Sequence, residues 1–348
     1  MFYCEEAAAA GWAAAERAWT RYRGARMKIG FVGIGQMGIH MSRKIQGAGY
    51  GLVVHDADKD AALPLLESGA EWADTPKAVA EACRMVITCL PTPQIVQEVV
   101  YGDDGLLSGW KTGDIYVDMS TNSPSAIRRI AADAKSLGVG VLDAPVSGGT
   151  RGAELGTLTI MVGGDPEVLE RARAVLEPMA NRIFHVGEVG CGNVAKLVNN
   201  MIGLACNSIC AEGFVLGVKA GIDPQVLYEL LTISTANNWS LQQYPRTVFK
   251  GDFAPGFKIS LAHKDLTLAL GLGEEHGVPL PVAQVVKADL ADAIGAGLGE
   301  QGVDAVILPL EAVAQVQVRA SGRDAHAYGQ DAQPPHPAGG SQSSRRPG

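Results

Sequence analysis

Short apolar runs rich in Val and Ile alternate with amphipathic stretches along the first half of the chain. The apolar runs begin near residues 28, 50, 84, 114, 138, 158 and 182, and helical patterns such as SPSAIRRIAADAKSLG and DPEVLERARAVLEPM lie between them. Strands that alternate with helices of about 10 to 15 residues are typical of a parallel sheet covered by helices on both faces. We therefore predict an α/β domain with a mostly parallel sheet over residues 27–189.

Beyond residue 190 the pattern becomes purely helical. Helix starts are marked by Asp223-Pro224 and by Pro279 and Pro281. We predict that an all-α C-terminal domain spans residues 190–318. Its most apolar helix, over residues 194–220, contains Lys, Asn and Glu side chains that a membrane core would penalise. This helix is therefore predicted to be a buried core helix rather than a membrane span.

The two ends of the chain differ from the body in composition. Residues 1–26 contain nine Ala, whereas from Arg319 onward Tyr328 is the only large apolar residue and the last segment is rich in Pro, Gly, Ser and Gln. Such a tail lacks the apolar surface that a core needs. We predict an N-terminal extension over residues 1–26 and a disordered tail over residues 319–348.

Composition and charge narrow the class of protein. The 348 residues are 47% hydrophobic and 19% charged, which is sufficient for folded domains. A net charge of −8 argues against nucleic-acid binding, because binding to phosphates needs clustered Lys and Arg. The six cysteines form no CxxC pair and have no His at metal-ligand spacing. We therefore predict no metal site and no disulfide framework, and expect a cytoplasmic protein.

A glycine-rich turn joins the first predicted strand to the first helix. It has the sequence Gly33-Ile34-Gly35-Gln36-Met37-Gly38, and Asp56 follows at the end of the next strand, eighteen residues past Gly38. In such a loop Gly33 permits the tight turn, Gly35 lets the backbone approach a pyrophosphate, and Gly38 lets the helix pack closely. The helix N-terminus faces the anion. The pattern predicts a Rossmann-type dinucleotide-binding domain, with Gln36 and Met37 also beside the cofactor.

Asp56 also indicates which dinucleotide is bound. Its carboxylate would accept the ribose hydroxyls and would repel a 2′-phosphate, and no Arg follows it in VVHDADKDA. Lys59 is a nearby cation that leaves NADP as an alternative. The sequence favours NAD over NADP.

Several ordered motifs resemble those of the β-hydroxyacid dehydrogenase family. The resemblance begins with FVGIGQMGIHM at residues 31–41 and covers about residues 27–314. It continues with CLPTP at 89–93, VDMSTNSP at 117–124, DAPVSGGTRGAELGTLTIMVGG at 143–164, GNVAKLVNNM at 192–201 and PGFKISLAHKDLTLAL at 255–270. The family implies a Rossmann-type domain, a helical domain that builds a homodimer or homotetramer, and an active site between them.

The resemblance places Lys196 at the family's catalytic position. On a helix Lys196 and Asn200 share one face, so both are expected to be catalytic, with Lys196 as the general acid and base. Apolar neighbours are expected to desolvate the ammonium and lower its pKa, namely Val194, Leu197 and Ile202. His263 is the alternative proton donor, although a single His beside Lys is more often structural.

Substrate and cofactor contacts also follow from the resemblance. Ser147, Gly148 and Gly149 are expected to contact a substrate carboxylate, because successive Gly N–H groups beside a Ser hydroxyl form a small anion site. Phe257 and Trp239 are expected to shape the substrate pocket. Further expected cofactor contacts are Leu90 and Pro91 on the adenosine side, Thr121 near the nicotinamide and its ribose, and Lys264 and Asp265.

The activity that the resemblance implies is a hydride transfer. We expect NAD-dependent oxidation of a small carboxylate, 3-hydroxyisobutyrate or a close relative, to its semialdehyde. The alternative enzyme is a reductase of 2-hydroxy-3-oxopropionate (tartronate semialdehyde) or of a related short semialdehyde. The alternative outside enzymes is a dinucleotide-dependent binding protein, which would keep the glycine loop and lose the proton relay.

Overall fold

A computed structural model describes residues 27–320, and each of the seven apolar runs forms a strand there. Two further strands have only two residues each, which is too short to show a pattern in the sequence. The strands are β1 (Lys28–Val32), β2 (Gly51–His55), β3 (Glu71–Trp72), β4 (Met85–Thr88), β5 (Ile115–Asp118), β6 (Gly140–Asp143), β7 (Val146–Ser147), β8 (Leu158–Gly164) and β9 (Ala180–Gly187).

Helices follow most strands and then occupy the rest of the described chain. Six of them begin with proline, which suits the first helical turn because its N–H groups have no partner within the helix. The helices are α1 (Gly38–Gly47), α2 (Leu63–Leu66), α3 (Pro76–Ala82), α4 (Pro93–Tyr101), α5 (Pro124–Ser136), α6 (Gly149–Leu155), α7 (Pro166–Leu176), α8 (Cys191–Lys219), α9 (Pro224–Thr232), α10 (Trp239–Gln243), α11 (Ile259–Glu275), α12 (Pro281–Gly295) and α13 (Ile307–Ala314).

The nine strands form one sheet in the order β3-β2-β1-β4-β5-β6-β8-β7, with β9 paired to β8. Strands β1 to β6 are parallel, and β8 runs antiparallel to β6 and β7. The predicted fold class is therefore confirmed. The strand order reverses between β1 and β4, and the carboxyl ends of strands at such a point form a ligand-binding crevice. Val32, the last residue of β1, lies between His55 of β2 and Thr88 of β4.

Alternate residues of the five parallel strands β1, β2, β4, β5 and β6 face two separate apolar cores. Phe31 and Ile87 belong to the core on one face of the sheet, and Val32 and Val86 belong to the core on the other. A third core fills the helical region, which comprises α8 to α13. The sheet is therefore covered on both faces, as strand–helix alternation predicts.

The 29-residue helix α8 leads from the sheet into the helical region. Its length and apolar composition alone would allow it to cross a membrane. In the fold it packs against β8 and β9 at its beginning and against α11, α12 and α13 along its length. The helix spans Cys191–Lys219, three residues earlier at its start than predicted.

The predicted extension over residues 1–26 lies outside the described residues, as does the predicted tail beyond residue 320. The described residues continue two positions past the predicted boundary at residue 318. Arg319 Nη1 lies 2.7 Å from the buried carboxylate of Glu311, and its guanidinium lies over the ring of Phe253. This ion pair ties the end of the described chain to α13.

Candidate functional site

The glycine loop after β1 has the geometry of a pyrophosphate cradle. Gly33 has φ +96°, and a Cβ there would overlap the carbonyl oxygen of Cys89. A Cβ on Gly38 would overlap the carbonyl oxygen of Gly33, so α1 can start this close to β1 only with glycine. A Cβ on Gly35 would meet no atom within 4 Å, which leaves open space over the loop. Gly33 and Gly38 thus leave no room for a side chain, whereas Gly35 faces space that a ligand could occupy.

Asp56 lies at the mouth of this loop, directly after β2. Its Oδ2 accepts a hydrogen bond from Ile34 N at 2.6 Å and its Oδ1 accepts one from Asp58 N at 2.9 Å. Each carboxylate oxygen keeps a further lone pair for a ribose hydroxyl. Lys59, the cation that leaves NADP open, lies over the indole ring of Trp72, 5.1 Å from its centroid. The loop and its fixed carboxylate therefore fit a dinucleotide such as NAD.

Lys196 lies on the second turn of α8, where its side chain is half-buried. Burial lowers the pKa of Lys196 to about 8; the carboxylate of Asp265 opposes this shift, and the charge of Lys264 adds to it. Leu197 is fully buried as expected, but Ile202 is 56% exposed and points to the other side of the helix, so the expectation that Ile202 desolvates Lys196 is wrong. An amine with this pKa exchanges protons near neutral pH.

A buried polar chain brings four predicted site residues together beside Lys196. Asn200 Nδ2 donates to Asp265 Oδ2 at 2.6 Å, and Asp265 Oδ1 lies 2.9 Å from the ammonium of Lys264. Lys264 Nζ also donates to the carbonyl oxygen of Thr121 at 2.9 Å. This chain connects α8, α11 and the loop after β5, and it fixes the face of α8 that carries Lys196.

The Ser147-Gly148-Gly149 segment joins β7 to α6. Gly148 and Gly149 have φ values of +130° and +63°, which are accessible to glycine and strained for other residues. A Cβ on Gly149 would meet no atom within 4 Å, so the backbone there is open to a ligand. Its N–H groups at the start of α6 suit a carboxylate.

The remaining predicted residues lie at the edge of this arrangement. Trp239 is 70% exposed at the start of α10, and the next residue, Ser240, donates to Gly203 O two turns after Lys196 on α8. Phe257 packs on the core of the helical region. Leu90 is half-buried and donates its N–H to Ser120 Oγ. Gln36 and Pro91 are exposed and Met37 is half-buried.

His263, the alternative proton donor, faces a different neighbour. Burial and the nearby charge of Lys287 on α12 lower the pKa of His263, which keeps its ring neutral at pH 7. Lys196 shares a helix face with Asn200 and lies close enough to Asp265 to feel its charge, so it is the better placed of the two groups.

Four buried polar residues under the site are missing from the predicted set. Asp118 and Asp143 end the neighbouring strands β5 and β6, and burial raises the pKa of both carboxyls, that of Asp143 to about 6. Asn122 Nδ2 donates to Asp118 Oδ2 at 2.9 Å, and Asn193 N donates to Asp143 Oδ2 at 2.7 Å. An Asp at the end of two successive apolar runs, in VDMS and LDAP, is the signal that could have found the two aspartates.

Two family models together match most of the chain. Residues 28–187 match the family model of the NAD binding domain of 6-phosphogluconate dehydrogenase, and residues 190–310 match that of the NAD-binding domain of NADP-dependent 3-hydroxyisobutyrate dehydrogenase. The chain is 39% identical to 2-(hydroxymethyl)glutarate dehydrogenase of Eubacterium barkeri, over 84% of this chain and 97% of the relative. It is 40% identical to 3-hydroxyisobutyrate dehydrogenase of Pseudomonas aeruginosa, over 74% and 89%.

A solved structure is similar over the same region. It is the 3-hydroxyisobutyrate dehydrogenase of Mycobacterium tuberculosis with L-serine, which is 38% identical and superimposes with a TM-score of 0.75. The match covers 82% of this chain and 99% of that one.

Proposed function

We propose, since this chain belongs to the β-hydroxyacid dehydrogenase family, that it oxidises the hydroxymethyl group of a small carboxylate with the general form HOCH2–CHR–COO−. The chain is an NAD(P)-dependent hydroxyacid dehydrogenase of the 3-hydroxyisobutyrate dehydrogenase type, with NAD as the favoured cofactor. The observation that carries the proposal is a half-buried Lys196 of lowered pKa. It shares a helix face with Asn200, which is joined through Asp265 and Lys264 to the carbonyl oxygen of Thr121 in the cofactor-side loop.

The substrates named for similar proteins share one chemical unit. 3-Hydroxyisobutyrate, L-serine and 2-(hydroxymethyl)glutarate all carry a hydroxymethyl group on the carbon next to a carboxylate, and they differ in the third substituent. A carboxylate site at Ser147, Gly148 and Gly149 and a proton acceptor at Lys196 would serve this shared unit. The leading candidate substrate is 3-hydroxyisobutyrate, in which the third substituent is a methyl group. Trp239 and Phe257 are proposed to shape the space for that substituent.

In the proposed reaction the protein binds and orients the substrate and the cofactor, and it accepts the hydroxyl proton of the substrate. Bound NAD supplies the hydride acceptor. Asp56 would hold its adenosine ribose and the loop at residues 33–38 its pyrophosphate. Leu90, Pro91, Thr121 and Lys264 would line the remainder of the dinucleotide site. The neutral amine of Lys196 would take the hydroxyl proton of the substrate, with Asn200 holding that oxygen and Asp265 fixing Asn200.

The experiment that tests this proposal is a kinetic panel with NAD and NADP. The compounds are 3-hydroxyisobutyrate, L-serine, 2-(hydroxymethyl)glutarate and glycerate, with 4-hydroxybutyrate as the control in which the hydroxyl is farther from the carboxylate. We expect the highest kcat/KM for 3-hydroxyisobutyrate with NAD and the lowest for 4-hydroxybutyrate. Preference for glycerate would favour a tartronate semialdehyde reductase, and turnover of none of the compounds would contradict the proposal.

Oxidation is expected to speed up as the pH rises through about 8. The neutral amine of Lys196 is the form that accepts a proton, and its pKa is about 8, so kcat/KM should increase across this value and then level off. The reverse reduction needs the ammonium and should slow over the same interval. Initial rates in both directions between about pH 6 and pH 10 provide the measurement. Parallel pH profiles for the two directions would contradict Lys196 as the shared acid and base.

An apolar stripe on α8 is proposed to pair with a second copy of the chain. The stripe comprises Val198, Ile202, Ile209 and Leu216, which are 43% to 71% exposed and share one helix face. Exposed apolar patches of this kind mark interfaces. The four positions lie nearly symmetrically about the middle of α8, so an antiparallel copy can align the same stripe across a two-fold axis. We propose a homodimer, or a homotetramer of two such dimers, built through the helical domain at residues 190–318, with the dinucleotide-binding domain at residues 27–189.

Ile209→Glu is expected to shift the assembly toward monomer, because a carboxylate in the middle of the stripe would be buried without a partner charge. The control is Val313→Glu, which places the same charge at an exposed apolar position of α13 outside the stripe. Light scattering coupled to size-exclusion chromatography measures the mass. A monomeric unmodified protein would contradict the pairing. A cytoplasmic location is also proposed, since none of the five cysteines within residues 27–320, at positions 83, 89, 191, 206 and 210, is in a disulfide.

A further inference from the structure

We propose that Asn193 is a positioning residue that holds Lys196 in place relative to the cofactor-side loop after β5. The proposal rests on the proposed function, because it gives Asn193 a part in proton transfer by Lys196. Asn193 lies in the first turn of α8, three residues before Lys196, and its side chain is fully buried. A side-chain amide does not ionise near neutral pH and so cannot serve as the acid or base, which makes its contribution geometric.

The amide of Asn193 bonds α8 to the ends of two strands. Its Oδ1 accepts from Asn122 N at 2.7 Å, in the loop after β5. Its backbone N and its Nδ2 both donate to Asp143 Oδ2 at the end of β6, at 2.7 and 3.3 Å. Asp143 Oδ1 accepts from Gly190 N at 2.7 Å. The start of the lysine-bearing helix is therefore joined to the carboxyl edge of the sheet through buried bonds alone.

These bonds close a ring around Lys196. Asn122 follows Thr121 in the sequence, and the carbonyl oxygen of Thr121 accepts a hydrogen bond from Lys264. Lys264 forms an ion pair with Asp265, which in turn accepts a hydrogen bond from Asn200 on α8. Asn193 and Asn200 lie three residues before and four residues after Lys196, so the ring meets the helix about one turn on either side of it. The hydrogen bonds of Asn193 and Asn200 therefore hold α8 in place on both the N-terminal and the C-terminal side of Lys196.

The packing around the helix start leaves little freedom to compensate for a lost bond. A Cβ on Gly192 would lie 2.5 Å from the carbonyl oxygens of both Asp143 and Met161. A Cβ on Gly163 would lie 2.7 Å from Gly192 N. The backbone of α8 is thus in close contact with β6 and β8. Removing the Asn193 amide would leave Asn122 N without its acceptor and a void beside Asp143, and the first turn would loosen.

The test compares Asn193→Ala with Asn207→Ala. Asn207 is a matched control because it is a buried Asn on the same helix, bonded to Val303 O at 2.9 Å, eleven residues past Lys196. We expect kcat to fall about 10- to 100-fold in Asn193→Ala, which is the effect of misplacing a reacting group by about 1 Å, with the KM for NAD changed less than about threefold. Asn207→Ala should lower the melting temperature comparably but leave kcat within about threefold.

A second measurement does not depend on turnover. The pH dependence of Lys196 acetylation by acetic anhydride, followed by mass spectrometry on the full-length enzyme, reports the basicity of this amine. The midpoint should move upward in Asn193→Ala, because a loosened first turn admits water to the ammonium, and should stay unchanged in Asn207→Ala. This readout distinguishes failure of the proposal from failure of the proposed function, which would appear as a substrate panel without turnover.

Two results would overturn the role of Asn193. One is an equal loss of kcat in the two variants, and the other is a Lys196 acetylation profile in Asn193→Ala identical to that of the unmodified enzyme. If Asn193→Ala does not fold, Asn193→Ser, which keeps a short polar group at this position, takes its place in both comparisons.

Discussion

Lys196→Met is expected to lower kcat for hydroxyacid oxidation by about 100- to 10,000-fold, the range that general acid and base groups supply. Methionine keeps an unbranched side chain of similar volume but has no proton to exchange. NAD affinity should change by less than about threefold, because the glycine loop and Asp56 belong to other elements of the fold. Steady-state kinetics and a separate NAD titration measure the two effects independently.

The matched control for this variant is Lys219→Met, which makes the same change at an exposed position in the last turn of α8. Its kcat should equal that of the unmodified enzyme. A Lys196→Met enzyme with kcat within about tenfold of the unmodified value would overturn the assignment. A large loss in His263→Gln in its place would move the proton transfer to His263.

Gly35→Ala is expected to weaken NAD binding about 10- to 100-fold while leaving the apoprotein as stable as before, or slightly more stable. The new methyl group would meet no protein atom within 4 Å, and Gly35 does not have a positive φ, so the fold accepts alanine. The methyl would occupy the space that a pyrophosphate needs above the loop. Calorimetric titration with NAD and thermal unfolding without NAD separate the two effects.

Two glycines of the following helix, α1, make this experiment specific. Gly47→Ala also adds a methyl group that meets no atom, at the far end of the helix, and should leave NAD binding unchanged. Gly38→Ala would overlap the carbonyl oxygen of Gly33 and should lower stability and NAD binding together. NAD affinity that is unaltered in Gly35→Ala would place the pyrophosphate elsewhere.

Much of the cofactor side is predictable from the sequence because its signals are local. The three glycines between residues 33 and 38 follow an apolar run and precede an amphipathic one, and Asp56 ends the next run. Each feature depends on residues that are close together in the sequence. Hydrophobic periodicity and turn-forming residues predict such local features well. The same reasoning predicts the seven longer strands and misses β3 and β7, since two residues have no period.

The proton-transfer side depends on contacts between distant parts of the chain. The bond from Asn200 to Asp265 joins residues 65 apart, and the bond from Asn122 to Asn193 joins residues 71 apart. The family resemblance points to Asn200 and Asp265 but not to Asn193, because a buried Asn and an exposed Asn look alike in a sequence. The wrong expectation for Ile202 has the same cause, because the sequence does not show which side chains are buried. Ile202 is exposed and points away from Lys196, which it was expected to cover.

Helix α8 carries Lys196 on one face and the apolar stripe on the other, within a single rod about 44 Å long. Val198 and Ile202 of the stripe lie within two turns of Lys196, so the surface proposed for association and the proton-transfer group share one rigid body. Loss of the second copy would expose the stripe to water along the same helix that positions Lys196. Specific activity measured per chain should therefore depend on enzyme concentration and decline on dilution below the dissociation constant of the pair, whichever hydroxyacid is supplied.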